Sequence, residues 1–211
     1  MKILEVKSLA IPDLKVIKYG RFSDHRGFFT ETFRDSDFKS NPDMAFMKGA
    51  KFTQVNEGYS KKGTFRGLHF QWNPYMGKLV RSVFGRIIDF GLDIRKNSPT
   101  LGKIIAYDIS TSHDDDYNEW IWLPPGFAHG ILAVDEAKVE YFCTGEYSPG
   151  CEAAISVLSK DIDWSLCDQK LKNIFDSIVP TTKLMTDKDK NGASMKSWLE
   201  DARSDNFIYS R

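Results

Sequence analysis

Short apolar runs separated by turn residues recur along most of this chain. They fall at residues 52–55, 79–84, 86–90, 103–107, 119–123, 131–134 and 139–142. Gly85, Asn97-Ser98-Pro99, Pro124-Pro125-Gly126 and Ser148-Pro149-Gly150 punctuate them. Many short strands at near-regular spacing predict an all-β sandwich or barrel. A jelly roll is the natural closed form, because it limits exposed strand edges. The run Arg66-Gly67-Leu68-His69-Phe70-Gln71 reads as one such strand. Alternation places Leu68 and Phe70 on one face and His69 on the other, with Gly67 and Gln71. The histidine therefore points away from its apolar neighbours, into whatever the second face lines.

Two regions break the strand pattern. Residues 35–47 read as a short helix or irregular turn, and residues 168–175 and 194–199 read as short helices. Leu171, Ile174 and Phe175 fall at helical spacing. The expected organisation is a single domain over residues 1–211. Residues 165–211 form a partly helical C-terminal appendage over the barrel, too small to own a core.

Bulk properties narrow the function. The 211 residues suffice for one domain with a sizeable core. Lys+Arg and Asp+Glu both number 29, so the chain lacks the basic excess of a nucleic-acid-binding protein. A composition of 41% hydrophobic and 13% aromatic residues is that of a globular protein, not a disordered one. No apolar run approaches a membrane span, and residues 1–7 carry charges where a signal peptide needs an apolar stretch. Cys143, Cys151 and Cys167 are odd in number and show no CxxC spacing. They fit free thiols in a reducing cytoplasm better than a disulfide framework or a zinc site.

The candidate chemistry is sparse. The four histidines, His25, His69, His113 and His129, form no HxH pair, so no metal site is expected. The Pro124-Pro125-Gly126 turn delivers His129 to the start of a strand, where it also reads as a satisfied polar residue. Asp89, Gly91, Asp93 and Arg95 share a strand face, which is either a wet cavity or a solvent-exposed surface. Tyr141 and Tyr147 flank a turn. Such tyrosines usually pack, but a buried phenol needs a partner and can serve as an acid.

Taken together, the motifs resemble the dTDP-4-dehydrorhamnose 3,5-epimerase family of cupin-type, jelly-roll enzymes. The matching pieces run in order: residues 24–31, 54–56, 66–71, 77–81, 93–102, 125–130, 141–152 and 185–189. The resemblance implies a nucleotide-linked 4-keto-6-deoxyhexose as substrate, epimerised at C3 and C5 through an enolate. It implies no cofactor, in keeping with the missing GxGxxG loop. By resemblance His69 is the base, Tyr141 the proton donor on the opposite face, and Lys78 the group that stabilises the enolate. Asp189 orients the base, with Asp161 in Leu158-Ser159-Lys160-Asp161 as a rival. Arg66 matches a position that binds the sugar or the diphosphate. Arg26, Glu31, Gln54 and Asn56 match positions that bind the nucleotide or reach the neighbouring subunit's site. Phe29 and Tyr147 match stacking positions for the base. His129, with Asp89, lines the sugar end, and Glu152 and Lys188 join the substrate-binding set. Family members are dimers that exchange N-terminal strands, so a homodimer is expected. The chain departs from the family pattern at residues 72–76, one residue short with Met76 in place of a glutamine, and at 165–184, which is longer. Three alternatives stay open: a single-carbon epimerase on a related hexose or heptose, a non-catalytic sugar-nucleotide-binding cupin, and a metal-dependent cupin.

Overall fold

The computed structural model describes residues 1–112 and 114–209, so His113 lies outside the described residues. The strands are β1 (Ile3–Ser8), β2 (Lys15–Gly20), β3 (Phe22–Asp24), β4 (Gly27–Phe29), β5 (Gln54–Ser60), β6 (Phe65–Gln71) and β7 (Lys78–Phe84). They continue as β8 (Arg86–Asp93), β9 (Ile104–Ser110), β10 (Tyr117–Leu123), β11 (Phe127–Ala133), β12 (Ala137–Cys143) and β13 (Glu152–Ala154). Short helices follow the pattern of residues 35–47 and of the C-terminal region: α1 (Asp35–Ser40), α2 (Gln169–Ile178), α3 (Asp187–Lys190) and α4 (Met195–Glu200).

A six-stranded sheet in the order β1-β2-β10-β7-β12-β5 faces a five-stranded sheet in the order β13-β6-β11-β8-β9. The pairings are antiparallel, and neighbours are mostly distant in sequence, as a jelly roll requires. This is the all-β jelly roll expected from the strand pattern, and it agrees with the cupin-type fold that the resemblance implies.

The alternation of side chains sorts three apolar clusters. Phe65, Leu68, Phe70, Ile88, Phe90, Leu92 and Leu132 face outward from the five-stranded sheet and pack on Phe175, Met185, Trp198 and Phe207. The C-terminal helices therefore complete this layer. Val80, Ile87, Ile105, Ile121, Phe127, Ile131 and Val139 fill the space between the sheets. Tyr19, Leu79, Trp120 and Trp122 cover the outside of the six-stranded sheet with Phe38, Met44 and Met47. The apolar filling between the sheets occupies only part of that space. The rest is polar and holds the cleft described below.

Strand β6 carries one irregularity. His129 pairs with His69 but Ile131 pairs with Arg66, so β6 carries an extra residue relative to β11. This is a β-bulge, which resets the side-chain phase of the strand. Phe65, Leu68 and Phe70 all join the outer cluster, while Arg66 and His69, three positions apart, both turn inward. Gly67 sits at the bulge with φ +129°, and a Cβ there would lie 2.5 Å from the Gly130 Cα and 2.7 Å from the His129 carbonyl oxygen. Only glycine fits that approach.

Candidate active site

A cavity of about 590 Å³ opens between the sheets, lined by Arg66 and His69 from β6, Lys78 from β7, His129 from β11 and Tyr141 from β12. Ser60, Thr186, Lys188 and Asp189 complete its wall. A second cavity of about 460 Å³ shares Glu57, His69, Lys78 and Tyr141 with it and continues past Gln54, Asn56, Met76, Tyr147 and Glu152. The two form one cleft with His69, Lys78 and Tyr141 where they meet.

His69 and Asp189 are held together by local sequence. Thr186 caps α3 by accepting the Asp189 N–H, and this capping-box spacing turns Asp189 towards β6. Asp189 is 3% exposed, and its Oδ1 stands 2.7 Å from His69 Nε2. Burial alone would raise the Asp189 pKa, but hydrogen bonds from His69, Thr186 and the Gly67 N–H outweigh it and hold the carboxyl below its usual range. An ionised carboxylate on one ring nitrogen fixes the tautomer and leaves the other nitrogen free to take a proton.

Tyr141 faces His69 from the opposite sheet. Burial pushes its phenol pKa up, against the pull of a hydrogen bond with Asn56 and the charge of Arg66. It therefore remains a protonated donor at neutral pH. The Lys78 Nζ donates to the His69 carbonyl oxygen at 3.5 Å. Burial pushes its pKa down, and Cys143, Asp89 and Glu152 push back. Arg66 donates to Ser60 Oγ at 2.9 Å and to the Tyr59 carbonyl oxygen at 3.2 Å, which leaves its charge free for an anion.

Behind the cleft, His129 Nε2 lies 2.8 Å from Asp89 Oδ2. Burial drives the pair towards its neutral form, raising the aspartate pKa and lowering that of the histidine. The alternation of residues 89–95 thus resolves towards the interior. Asp89 meets His129, whereas Asp93 binds Arg95, Ser98 and Thr100 and holds the loop after β8.

The remaining expected residues divide. Tyr147 donates to Glu152 at 3.1 Å, and Lys188 reaches Glu152 at 2.5 Å, so all three border the cleft. Gln54 and Asn56 lie on the same inward face of β5, 3.0 Å apart. Arg26, Phe29 and Glu31 are not among the residues lining this cleft. Arg26 pairs with Asp24 at 2.6 Å on the β3–β4 hairpin, Phe29 is 68% exposed, and Glu31 binds Arg34 and the Met1 amino group. Asp161, the rival orienter, accepts the N–H groups of Met195 and Lys196 at the start of α4 and is not in contact with His69. Sequence reasoning passed over Ser60 and Thr186. Thr186-Asp187-Lys188-Asp189 carried a readable capping signal, and Ser60 continues the inward series of Gln54 and Asn56. Among the described residues, no three His, Cys, Asp or Glu side chains are grouped so as to hold a metal ion.

A jelly roll that gathers a His–Asp pair, a tyrosine and a lysine into one interior cleft is the frame of a cupin-type carbohydrate isomerase. A family model described as dTDP-4-dehydrorhamnose 3,5-epimerase matches residues 8–197, and the chain belongs to that family. It is 36% identical to the dTDP-4-dehydrorhamnose 3,5-epimerase of Shigella flexneri over 193 residues, 90% of this chain and 94% of that protein. It is 40% identical to the enzyme of the same name from Neisseria gonorrhoeae over 153 residues; that match covers 72% of this chain but only 44% of the relative's length. Among solved structures it is similar to the dTDP-6-deoxy-D-glucose-3,5-epimerase of Legionella pneumophila in complex with dTDP-4-keto-L-rhamnose. That likeness has a TM-score of 0.80 at 29% identity and covers 98% of this chain and 99% of the other.

Proposed function

We propose that this protein inverts C3 and C5 of a dTDP-linked 4-keto-6-deoxyhexose, with His69 as base and Tyr141 as acid. The observation that carries the reading is their placement: His69 comes from the five-stranded sheet, Tyr141 from the six-stranded one, and both line one cavity. Inversion needs a base and an acid on opposite faces of a planar intermediate, and two facing sheets supply them.

The 4-ketone acidifies the hydrogens on its two neighbouring carbons. The His69 ring nitrogen remote from Asp189 takes one of these protons, and the C–H electron pair moves into the enolate. Asp189 stabilises the imidazolium that forms. Lys78 donates to the developing C4 oxyanion, a contribution of about 10²–10³ in turnover for one such donor. The Tyr141 hydroxyl returns a proton from the far face, and the enolate electrons re-form the C–H bond with inverted configuration. The substrate's own ketone is the electron sink, so this chemistry calls for no cofactor. Arg66 and Lys188 hold the sugar and its diphosphate from either side, and Gln54, Asn56, Tyr147 and Glu152 take the nucleoside. His129, backed by Asp89, borders the sugar.

Arg26, Phe29 and Glu31 fall outside their own chain's cleft, on and after an exposed hairpin, which supports a homodimer in which this segment serves the partner's site. The whole chain works as one domain, because α2 and α4 supply Phe175 and Trp198 to the core of the five-stranded sheet. No described helix is long and apolar enough to cross a membrane. With three free thiols and a sugar-nucleotide substrate, we place the reaction in the cytoplasm.

The test is deuterium incorporation from heavy water into dTDP-4-keto-6-deoxyglucose, followed by NMR. Enzyme-dependent deuterium at both C3 and C5 is the expected result. Label at one carbon alone would make the protein a single-site epimerase, and no label would remove the epimerase reading for this substrate.

A further inference from the structure

The mouth of the cleft beside Tyr147 is bordered by two loops, residues 72–76 and 144–150. They lie directly against each other. The Thr144 N–H donates to the Gly77 carbonyl oxygen at 3.0 Å, and the Gly77 N–H donates to Thr144 Oγ1 at 2.8 Å. A Cβ on Gly145 would stand 2.8 Å from Pro74 Cγ and 3.0 Å from the Tyr75 carbonyl oxygen.

Gln71 sits beneath both loops at the end of β6, two residues beyond His69, and is 3% exposed. Its Nε2 donates to the carbonyl oxygens of Pro74 and Glu146, each at 2.9 Å. Its Oε1 accepts the Ser148 N–H at 2.9 Å. One buried side chain thus ties three backbone groups from two loops. Only one amide orientation serves, because the flipped one would aim an acceptor at two carbonyls. Both donors are spent inside the protein, so Gln71 has no N–H left for a ligand. Gln54 adds a fourth tie, with its Oε1 accepting the Tyr147 N–H at 2.8 Å.

We propose that Gln71 is a positioning residue for the nucleotide end of the substrate: it borders the second cavity with its N–H groups spent on the two loops, which it clamps into one rim, and so fixes Tyr147 at the mouth. This rests on the sugar-nucleotide reading above. The rim segments lie outside the strand ladders, so without the clamp they would have to be ordered at the moment of binding. Preorganisation removes that entropic cost and appears as affinity. The reacting groups sit on β6, β7 and β12, whose ladders do not depend on the clamp.

The probe is dTDP, with Gln71→Met and Gln71→Glu as variants. The first keeps the volume and loses all three bonds. The second keeps the acceptor and sets a carboxylate against two carbonyls. We expect dTDP affinity by calorimetry to fall about tenfold or more in both. KM for the keto-sugar nucleotide should rise in step, with kcat held within about threefold. Amide hydrogen exchange should quicken at Tyr147 and Ser148 and stay unchanged in β8 and β11, which separates a loosened rim from a misfolded chain. A folded variant that binds dTDP like the wild type, or one whose kcat falls while KM holds, overturns the proposal. Wild-type protein that fails to bind dTDP overturns the nucleotide reading instead, and the exchange rates at Tyr147 and Ser148 then decide on the clamp alone.

Discussion

Two ionisable groups set the chemistry residue by residue, and each has an environment suited to a different task. Asp189 holds one nitrogen of the His69 ring at 2.7 Å, while Tyr141 is kept protonated by burial. His69→Ala should therefore lower turnover by at least about 10²–10⁴, the usual worth of a general base. Its affinity for dTDP should stay close to wild type, because His69 serves the sugar end. Tyr141→Phe should uncouple the two activities that share an enolate: exchange of substrate hydrogens with solvent persists while net inversion slows. Measured in heavy water, equal loss of both would strip Tyr141 of the donor role. Asp189 also ties stability to pH. Its folded-state pKa is depressed, so its contribution is fully present above the unfolded value of about 3.9 and is lost as pH falls through the folded value. Asp189→Asn should be less stable than wild type in urea at neutral pH, with the gap closing below about pH 4.

Among the elements, β6 and α3 decide the site, and they differ in how readable they were. The pattern of apolar runs found the central strands through Ile87-Ile88 in β8, Ile131-Leu132-Ala133 in β11 and Tyr141-Phe142-Cys143 in β12. It passed over β1 and β2, where Lys7, Lys15 and Lys18 interrupt the run, although β2 buries Val16, Ile17 and Tyr19. Alternation oriented His69 correctly, whereas strict alternation continued to Arg66 would set it beside Leu68 and Phe70, and the bulge is what turns it inward. A bulge has no period, and its signal is a single glycine whose φ cannot be read from sequence. The four residues of α3 were too few for any helical period, and only the match to a family motif favoured Asp189 over Asp161. The bulge also makes a prediction. Gly67→Ala forces a Cβ into the backbone of Gly130 at a φ that side chains rarely adopt. We expect a loss of about 3 kcal/mol or more, read by denaturant midpoint. Activity should fall further than stability alone explains, because the shift turns Arg66 away from the cleft.

For the whole molecule, the cleft is the region of a jelly-roll interior that apolar side chains leave unfilled, and its walls come from both sheets. The β3–β4 hairpin stands apart from this arrangement. Phe22 and Phe29 are 55% and 68% exposed, and Arg26 pairs with Asp24. The proposed homodimer would give this hairpin a role. In a dimer with a two-fold axis, the same surface on each chain meets the partner, so each hairpin would complete the other's site. This arrangement makes a prediction that neither mutant shows alone. Arg26→Ala and His69→Ala should each be impaired, since one lacks a nucleotide contact and the other lacks the base. Mixed under conditions that let subunits exchange, they form hybrid dimers. In a hybrid, one site carries both defects and the other carries none, because base and arginine come from different chains. Equal mixing should therefore recover about a quarter of the wild-type sites. If each chain builds its own site, mixing recovers nothing, and the hairpin then acts only within its own subunit.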